Sequence, residues 1–274
     1  MKRSARSSLL CIGLVFTSII IGFTATGISD AKIDPKSAVA IYLFDEGSGK
    51  KVKDSTGNGN DGDFVGNPQW VDGKFGKALS FNGQGDYVQI STPTNISSKV
   101  STFTIGFWVN PGNTQKQYTD ILSNHQEPQK GYTFEQDSTN VNLFYCGFGS
   151  EGAWRAGVPQ ADRALTQLNA GVWQHFTAVR EGTKLTHYLN GNKSAECPTN
   201  TSAPVSESQA NLRIAEWGGS SGRQFNGILD EVFIFNDALS EDDIKAIMNR
   251  GINGASSVSP SGKLTISWGM VKAQ

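Results

Sequence analysis

Residues 103–109 read FTIGFWV, and this stretch decides the fold class of the chain. Successive side chains of a β-strand point to opposite faces, so every second residue of the stretch shares a face. One face carries Phe103, Ile105, Phe107 and Val109. The other face carries Thr104 and the large apolar Trp108. A strand that is apolar on both faces is typical of the interior of a sandwich of two stacked sheets.

The same alternation recurs along the chain and is interrupted by clusters of Gly, Asn, Asp and Pro. Short alternating segments separated by turn residues are the pattern of an all-β sandwich. Besides residues 103–109, the predicted strands are Ala38–Phe44, Ala78–Phe81, Tyr87–Ile90, Thr119–Ser123, Gly131–Gln136, Val141–Cys146, Trp173–Arg180, Lys184–Leu189, Asn211–Ile214 and Gly227–Phe235. Asn190-Gly191 favours a tight hairpin between two antiparallel strands. We predict an all-β fold of two antiparallel sheets.

One short helix is predicted near the C-terminus. Ser240 is a good N-cap, and residues 241–243 place negative charge in the first turn, where it interacts favourably with the helix dipole. An apolar stripe follows at Ile244, Ile247 and Met248. Gly251 is predicted to end the helix.

The two ends of the chain differ in composition from the middle. Basic residues and then an apolar run over residues 9–23 are the pattern of a secretory signal peptide, with an uncleaved membrane anchor as the alternative. We predict a signal peptide over residues 1–31, one domain over residues 32–252, and a Gly/Ser/Pro linker with a C-terminal tail over residues 253–274. The tail is either a mobile or edge segment, or one that pairs with a surface or export partner.

Export changes the charge balance. If cleavage precedes Asp30, the loss of Lys2, Arg3 and Arg6 leaves 21 basic residues against 25 acidic ones. Such a surface does not attract nucleic acid or an anionic membrane. We therefore expect no nucleic-acid partner. The predicted signal peptide implies a mature chain without a membrane span and a location outside the cell, either secreted or on the cell surface.

Two cysteines, Cys146 and Cys197, remain after the predicted signal peptide is removed. Disulfides form in the oxidising compartments that exported proteins pass through. We predict a disulfide between them, with a pair of buried thiols as the alternative.

Eight segments, taken in order, resemble the laminin G-like jelly-roll family of the concanavalin A-like superfamily. They are IYLFDEGSG (41–49), DSTGNGNDG (54–62), GKFGKALSFNG (73–83), DYV (86–88), FTIGFWV (103–109), WQHFTAVR (173–180), YLNG (188–191) and GILDEVFIFN (227–236). The resemblance implies a concanavalin A-like jelly roll of two antiparallel sheets, as found in secreted proteins.

The same resemblance implies a Ca²⁺ ion at the edge of a sheet. Asp230 alternates with Ile228 and Val232, so its carboxylate lies on an apolar face and needs a partner. The residues that the resemblance brings near it as candidate ligands are Asp45, Asn82, Gly83 and Asp86. The alternative is that Asp230 accepts hydrogen bonds from backbone amides.

Catalysis is less well supported by the sequence. Glycosidases of this fold carry closely spaced carboxylates on one strand, and the nearest match is Glu135 with Asp137. Asn140 stands where a further acid would be needed, and an amide cannot donate a proton as an acid. The three histidines do not predict a zinc site, because they are scattered along the sequence at His125, His175 and His187.

Carbohydrate recognition requires exposed aromatic rings that stack on sugars, together with polar groups that bond the hydroxyls. Two aromatic residues with one arginine lie in Gly-rich loops, and the others lie on strands that could line a concave sheet. The candidates are Tyr145, Phe148, Trp154, Arg155, His187 and Trp217. The alternative for each is a place in the core or over loop backbone.

These observations favour a non-catalytic extracellular module that binds a glycan, or a glycoprotein or matrix surface. A polysaccharide hydrolase or lyase on the same fold is one alternative, and a structural cell-surface or adhesion protein is the other. A jelly roll can carry any of the three functions, so the fold alone does not choose.

Overall fold

A computed structural model of the chain describes residues 33–92, 94, 96, 100–137, 142–155, 163–219 and 222–256. A 3-10 turn at Pro35–Ser37 leads into the first strand. In chain order the strands are β1 (Ala38–Tyr42), β2 (Lys51–Val52), β3 (Gly62–Val65), β4 (Gln69–Asp72), β5 (Lys77–Asn82), β6 (Tyr87–Ile90), β7 (Thr102–Pro111), β8 (Asp120–Ser123), β9 (Tyr132–Gln136), β10 (Leu143–Ser150), β11 (Ala153–Arg155), β12 (Thr166–Gln167), β13 (Gln174–Glu181), β14 (Lys184–Leu189), β15 (Asn192–Pro198), β16 (Leu212–Ile214) and β17 (Asn226–Phe235). Within the described residues the fold is therefore all-β apart from one α-helix, as predicted.

The strands form two antiparallel sheets. The first sheet has eight strands in the order β15-β14-β13-β7-β17-β5-β4, with β1 also paired to β17. The second sheet has nine strands in the order β11-β10-β9-β8-β16-β6-β3-β2, with β12 also paired to β10. β7 pairs with β13 on one side and β17 on the other, so it is an interior strand, as its two apolar faces predict.

Aromatic rings fill the space between the sheets. Phe107 of the first sheet meets Phe134 of the second edge to face, with 5.1 Å between ring centroids. Phe176 lies beside them, 5.1 Å from Phe134. At another point Phe103 and Phe148 make the same kind of contact at 5.6 Å. Edge-to-face pairs add to the stability that burial of the rings already provides.

The hairpin predicted at Asn190-Gly191 is confirmed. It joins β14 to β15 in the first sheet. Asn190 has φ 50° and Gly191 has φ 73°, which is the pair of positive φ values that a two-residue hairpin turn requires.

The helix α1 spans Glu241–Ser256, and its start agrees with the prediction. The Asp243 backbone N–H donates to Ser240 Oγ at 3.2 Å, and the Ser240 backbone N–H donates to Asp243 Oδ2 at 3.1 Å, which forms a reciprocal cap. Ile244 and Ile247 are buried against the outer face of the first sheet.

The predicted stop at Gly251 is confirmed, but a second helical segment follows it directly. Gly251 has φ 70° and ψ 166°, so it kinks the chain, but residues 252–256 continue as helix. Ile252 and Ala255 are buried in the same apolar cluster as the first part of α1, and this burial explains why the chain stays docked beyond the glycine. The predicted domain boundary at residue 252 therefore lies inside the helix.

Other predictions about the chain ends fall outside the described residues. The predicted signal peptide, residues 1–31, is one of these, and so is the tail from residue 257 onward. Among the residues that the structure does describe, no helix is long and apolar enough to cross a membrane.

Phe107→Ala tests the packing between the sheets. Removing a fully buried phenylalanine leaves a cavity, and we expect the free energy of unfolding to fall by about 3–5 kcal/mol in urea titrations. Val172→Ala is the control, because Val172 is 51% exposed and its loss should change stability by less than about 0.5 kcal/mol. A loss below about 1 kcal/mol for Phe107→Ala would contradict the packing described here.

Candidate functional site

A cavity of about 300 Å³ lies on the second sheet, on the side away from the core. Strands β9, β10 and β11 contribute to it, as do the loops that flank β8 and the loop between β16 and β17. Its lining residues are Tyr118, His125, Glu127, Gln129, Thr133, Glu135, Tyr145, Trp154, Trp217 and Arg223. Two tyrosine rings, two indoles and several hydrogen-bonding groups therefore surround one cavity.

Arg223 is at the centre of the contacts around this cavity. Its guanidinium carbon lies 4.1 Å from the ring centroid of Trp217 and 5.1 Å from that of Tyr118. Its Nη1 lies 3.4 Å from Glu135 Oε2 and 3.9 Å from Asp120 Oδ2. The planar cation thus fixes two rings and two carboxyl groups relative to one another.

Asp120 and Glu135 are direct neighbours across β8 and β9. Asp120 has no exposed surface and accepts a hydrogen bond from the Thr133 hydroxyl, whereas the Glu135 side chain is 14% exposed in the cavity. Burial raises the pKa of both carboxyl groups, and for Asp120 the charge of Glu135 raises the pKa further. Arg223 acts in the opposite direction on the pKa of both groups.

Glu216 positions the loop that carries Trp217 and Arg223. Its buried Oε1 accepts hydrogen bonds from the backbone N–H groups of Trp217 and Arg223, each at 3.0 Å. Its Oε2 accepts from the Gln224 side chain. A carboxylate that is buried needs such donors, and here they hold both ends of the loop.

His125 links the two indole rings of the cavity. Trp217 Nε1 donates to His125 Nδ1 at 3.0 Å, and the Trp154 ring contacts the imidazole at a centroid distance of 4.7 Å. Burial lowers the pKa of His125, so the ring is neutral at physiological pH and Nδ1 is available as an acceptor.

Trp154 lies against a glycine of the neighbouring strand. A Cβ atom placed on Gly147 would be 2.6 Å from Trp154 Nε1, so only glycine allows the indole to lie this close to β10. The strand covers one side of the indole, and the ring also lines the cavity.

The family model for the concanavalin A-like lectin/glucanases superfamily matches residues 82–245, which is more than half of the chain. The chain belongs to this superfamily. No curated protein sequence is similar enough to count as a relative of this concanavalin A-like domain.

Solved structures share the fold at low sequence identity. Domain 4 of AbnA, a GH43 extracellular arabinanase from Geobacillus stearothermophilus, is known in complex with arabinotriose and matches with a TM-score of 0.60 at 20% identity, over 77% of this chain and 98% of that domain. The binding domain of Paraclostridial Mosquitocidal Protein 1 matches with a TM-score of 0.62 at 18% identity, over 78% of this chain and 52% of the other. The binding domain of botulinum neurotoxin DC in complex with SialylT matches at 0.58 and 14% identity, over 78% and 52%.

The concanavalin A-like domain thus spans about half the length of these toxin binding domains. At such identities the similarity shows the fold alone.

The structure brings together three of the six residues predicted to bind carbohydrate. Tyr145, Trp154 and Trp217 all line the cavity. Arg155 does not line it and instead forms an ion pair with Glu151 at 3.6 Å.

The prediction is wrong for Phe148 and His187. Phe148 is fully buried between the sheets against Phe103. His187 is also fully buried, with its Nε2 accepting from the Cys146 backbone N–H at 3.4 Å, and burial lowers its pKa to about 3. His175 is fully buried too.

The predicted pair of acids is also rearranged. Glu135 lines the cavity, but Asp137 is buried, does not line it, and lies 3.8 Å from Arg163. The carboxyl group beside Glu135 is Asp120, from the neighbouring strand. Asn140 lies outside the described residues.

The five residues predicted to bind calcium divide into two groups at opposite ends of β5. At its start, Asp230 Oδ2 accepts from the backbone N–H groups of Lys74 and Phe75 at 2.8 and 2.9 Å. Asp45 Oδ1 accepts from the N–H of Lys77 at 2.9 Å, in the same turn.

The other three predicted ligands follow the far end of that six-residue strand, about 17–20 Å away. Asn82 and Gly83 form the next turn, and Asp86 accepts from the Asn67 N–H at 2.7 Å. No group of three His, Cys, Asp or Glu side chains in the described part of the chain is placed to hold a metal ion. The amide-acceptor alternative for Asp230 therefore matches the structure.

The predicted disulfide is absent from the structure. Cys146 on β10 and Cys197 on β15 are both buried in the core between the sheets. Burial raises the pKa of the Cys146 thiol, and the neighbouring Cys197 raises it further. Both residues pack as small apolar groups.

Asp230→Asn tests the role of this carboxyl group. Burial raises the folded-state pKa of Asp230 to about 7 from its usual 3.8, so the native state keeps a proton that the unfolded chain has lost. The free energy of unfolding should therefore fall as pH rises from about 4 to about 7. We expect Asp230→Asn to reduce this fall without abolishing it, because burial also raises the pKa of Glu231, to about 7, and the pKa values of Asp120 and Glu135.

Urea titrations between pH 4 and pH 8 measure this, with Asp72→Asn as the control on an exposed carboxylate. The same variants melted in EDTA and in millimolar Ca²⁺ separate the two roles of Asp230. A calcium ligand would raise the wild-type melting temperature in Ca²⁺ and lose that rise in Asp230→Asn, whereas an amide acceptor gives equal melting temperatures in both buffers.

Proposed function

We propose that this chain is a non-catalytic, exported module that binds a carbohydrate in the cavity on the second sheet. The observation that carries the proposal is the position of Trp154, whose ring is fixed against Gly147 and borders a cavity with Glu135, Thr133 and Gln129 in its lining. Sugars present C–H faces that stack on aromatic rings and hydroxyls that need hydrogen-bonding partners. The cavity supplies both within one space.

Trp217 plays a different part from Trp154. Its ring contacts the Arg223 guanidinium and the His125 imidazole, and its Nε1 donates a hydrogen bond to His125 Nδ1. Because of these contacts, the Trp217 ring positions its neighbours. Trp154 is therefore the proposed stacking surface, with Tyr145 and Tyr118 as flanking rings.

The fold of the matched structures supports this type of function. Domain 4 of AbnA is a jelly roll of the same kind in complex with an oligosaccharide, arabinotriose. A partner that is a glycan, or a glycoprotein or matrix surface outside the cell, is consistent with the predicted signal peptide.

Hydrolysis is the second candidate function, and the Asp120 and Glu135 pair favours it because the pKa of each carboxyl group is raised. Glycosidases need two carboxyl groups that both reach the sugar. Asp120 has no exposed surface, so only Glu135 of the pair reaches the cavity. Binding without turnover is therefore the better-supported function.

Trp154→Ala tests the stacking surface. Loss of the indole should weaken binding about tenfold, since a ring contact contributes on the order of 1 kcal/mol beyond its buried area. Affinity gels that contain soluble arabinan, galactan or β-glucan measure retention, and Trp154→Phe should keep much of it.

The matched control is Trp70→Ala, because Trp70 is also a half-buried indole but lies on β4 of the first sheet. Equal retention of the Trp154→Ala variant and the wild type on every gel that retards the wild type would remove Trp154 from the site. Melting temperatures of all variants show whether any change comes from unfolding.

Incubation with the same polysaccharides separates binding from hydrolysis. We expect no reducing ends above the background after prolonged incubation. If reducing ends accumulate and Glu135→Gln abolishes them, the hydrolase function replaces the one proposed.

A further inference from the structure

The charges around the cavity suggest which class of sugar it accepts. Glu127 and Glu135 line it, and Asp120 lies beside Glu135 on the neighbouring strand. Arg223 is the one cationic side chain among the lining residues. Carboxyl groups thus outnumber cations around the cavity.

Arg223 is already engaged by the protein. Its Nη1 lies within 3.4 Å of Glu135 Oε2 and 3.9 Å of Asp120 Oδ2. The guanidinium also contacts the rings of Trp217 and Tyr118, with its carbon 4.1 and 5.1 Å from their centroids. A carboxylate on a ligand is recognised best when an arginine offers it two parallel N–H donors, and here such a carboxylate would compete with two acids of the protein.

Other positive groups near the cavity do not change this balance. Arg163 lies over the Tyr145 ring at 4.3 Å and is 3.8 Å from Asp137. His125 is neutral, because burial lowers its pKa. Glu127 Oε1, 3.9 Å from His125 Nε2, is therefore not neutralised by that ring, and its side chain is 68% exposed.

We propose, resting on the carbohydrate-binding function above, that the cavity selects uncharged sugars and excludes sugars that carry a carboxylate, such as uronic and sialic acids. Arg223 serves as the internal counterion of Glu135 and Asp120. A carboxylate that entered the cavity would leave water and meet Glu127 and Glu135. Placing like charges next to each other at a binding surface costs several kcal/mol, so the excluded sugars should bind at least about tenfold more weakly.

Matched pairs of ligands test this selectivity. One pair is polygalacturonan and the galactan made from it by carboxyl reduction, which share linkages and differ only in having a carboxylate or a hydroxymethyl group at C6. A second pair is sialyllactose and lactose, and a third is glucuronic acid-substituted xylotriose and xylotriose. The full chain is applied to an array of these ligands, together with arabinotriose, and Kd values of the positive spots are measured by titration calorimetry.

The expected result is that each ligand that binds is neutral and that its acidic counterpart binds at least about tenfold more weakly. An acidic ligand that binds as tightly as its neutral counterpart, or more tightly, overturns the selectivity while leaving carbohydrate binding intact. Binding to none of the ligands refutes the proposed function itself, and the selectivity with it.

Two variants show whether charge causes the exclusion. Glu127→Gln removes a carboxylate at the edge of the cavity, and Glu135→Gln releases Arg223 from its closest acid. Each should raise the affinity for the acidic ligand relative to the neutral one about tenfold, whereas Asp72→Asn on β4 should not change this ratio.

Salt supplies an independent measurement, because ions screen charge repulsion. Raising NaCl from 20 mM to 500 mM should strengthen binding of the acidic ligand relative to its neutral counterpart. An affinity ratio that responds neither to the two variants nor to salt shows that shape excludes the acidic sugar, and overturns the charge mechanism.

Discussion

Along β9, Phe134 packs between the two sheets while its neighbours Thr133 and Glu135 line the cavity on the opposite side. The same alternation on β10 buries Phe144 and places Tyr145 in the cavity. Because side chains of a strand alternate, the register that buries the core residues also fixes which residues face the cavity. A slip of one residue would move the apolar side chains outward and the polar ones into the core. The stability of the sandwich and the composition of the site therefore depend on one register.

Buried charged side chains hold the loops that complete the site on this face. Glu216 accepts hydrogen bonds from the backbone N–H groups of Trp217 and Arg223, which lie in the loop between β16 and β17. Arg223 in turn forms an ion pair with Glu135 on β9. Breaking a buried ion pair by removing one partner is costly, since the other charge is left uncompensated. Asp120 has no exposed surface, so it depends on Arg223 and on the Thr133 hydroxyl. These contacts hold the rings of Trp217 and Tyr118 in place before any ligand binds, which reduces the ordering cost of recognition.

The strand pattern was largely readable from the sequence, because long interior strands such as β7 and β17 are buried on both faces and carry clear apolar alternation. Short or polar strands such as β2, β11 and β15 were missed, since they have few apolar residues. The helix breaks at Gly251 as predicted, but the sequence analysis did not predict the helical segment that follows, in which Ile252 and Ala255 are buried.

The site was readable only in part. Phe148 lies three residues after Tyr145, so strand alternation alone places the two on opposite faces, and this signal argued against grouping them. Asp120 and Arg223 could not be found, because their partnership with Glu135 arises from strand pairing and from a loop contact between residues far apart in sequence. The sequence also could not show that the predicted calcium ligands lie apart. Asp45 and Asn82 lie at opposite ends of β5.

In the proposed complex, the ring of Trp154 is the surface on which a sugar stacks. The chain has six tryptophans, so the indole N–H groups give six resolvable signals in a two-dimensional NMR spectrum of ¹⁵N-labelled protein. Titration with a neutral oligosaccharide that binds should shift the signal of Trp154, and that of Trp217 through its contacts, while the signals of Trp70 and Trp108 stay unchanged. A ligand that binds and shifts the signal of Trp70 or Trp108 while that of Trp154 stays unchanged would contradict this account.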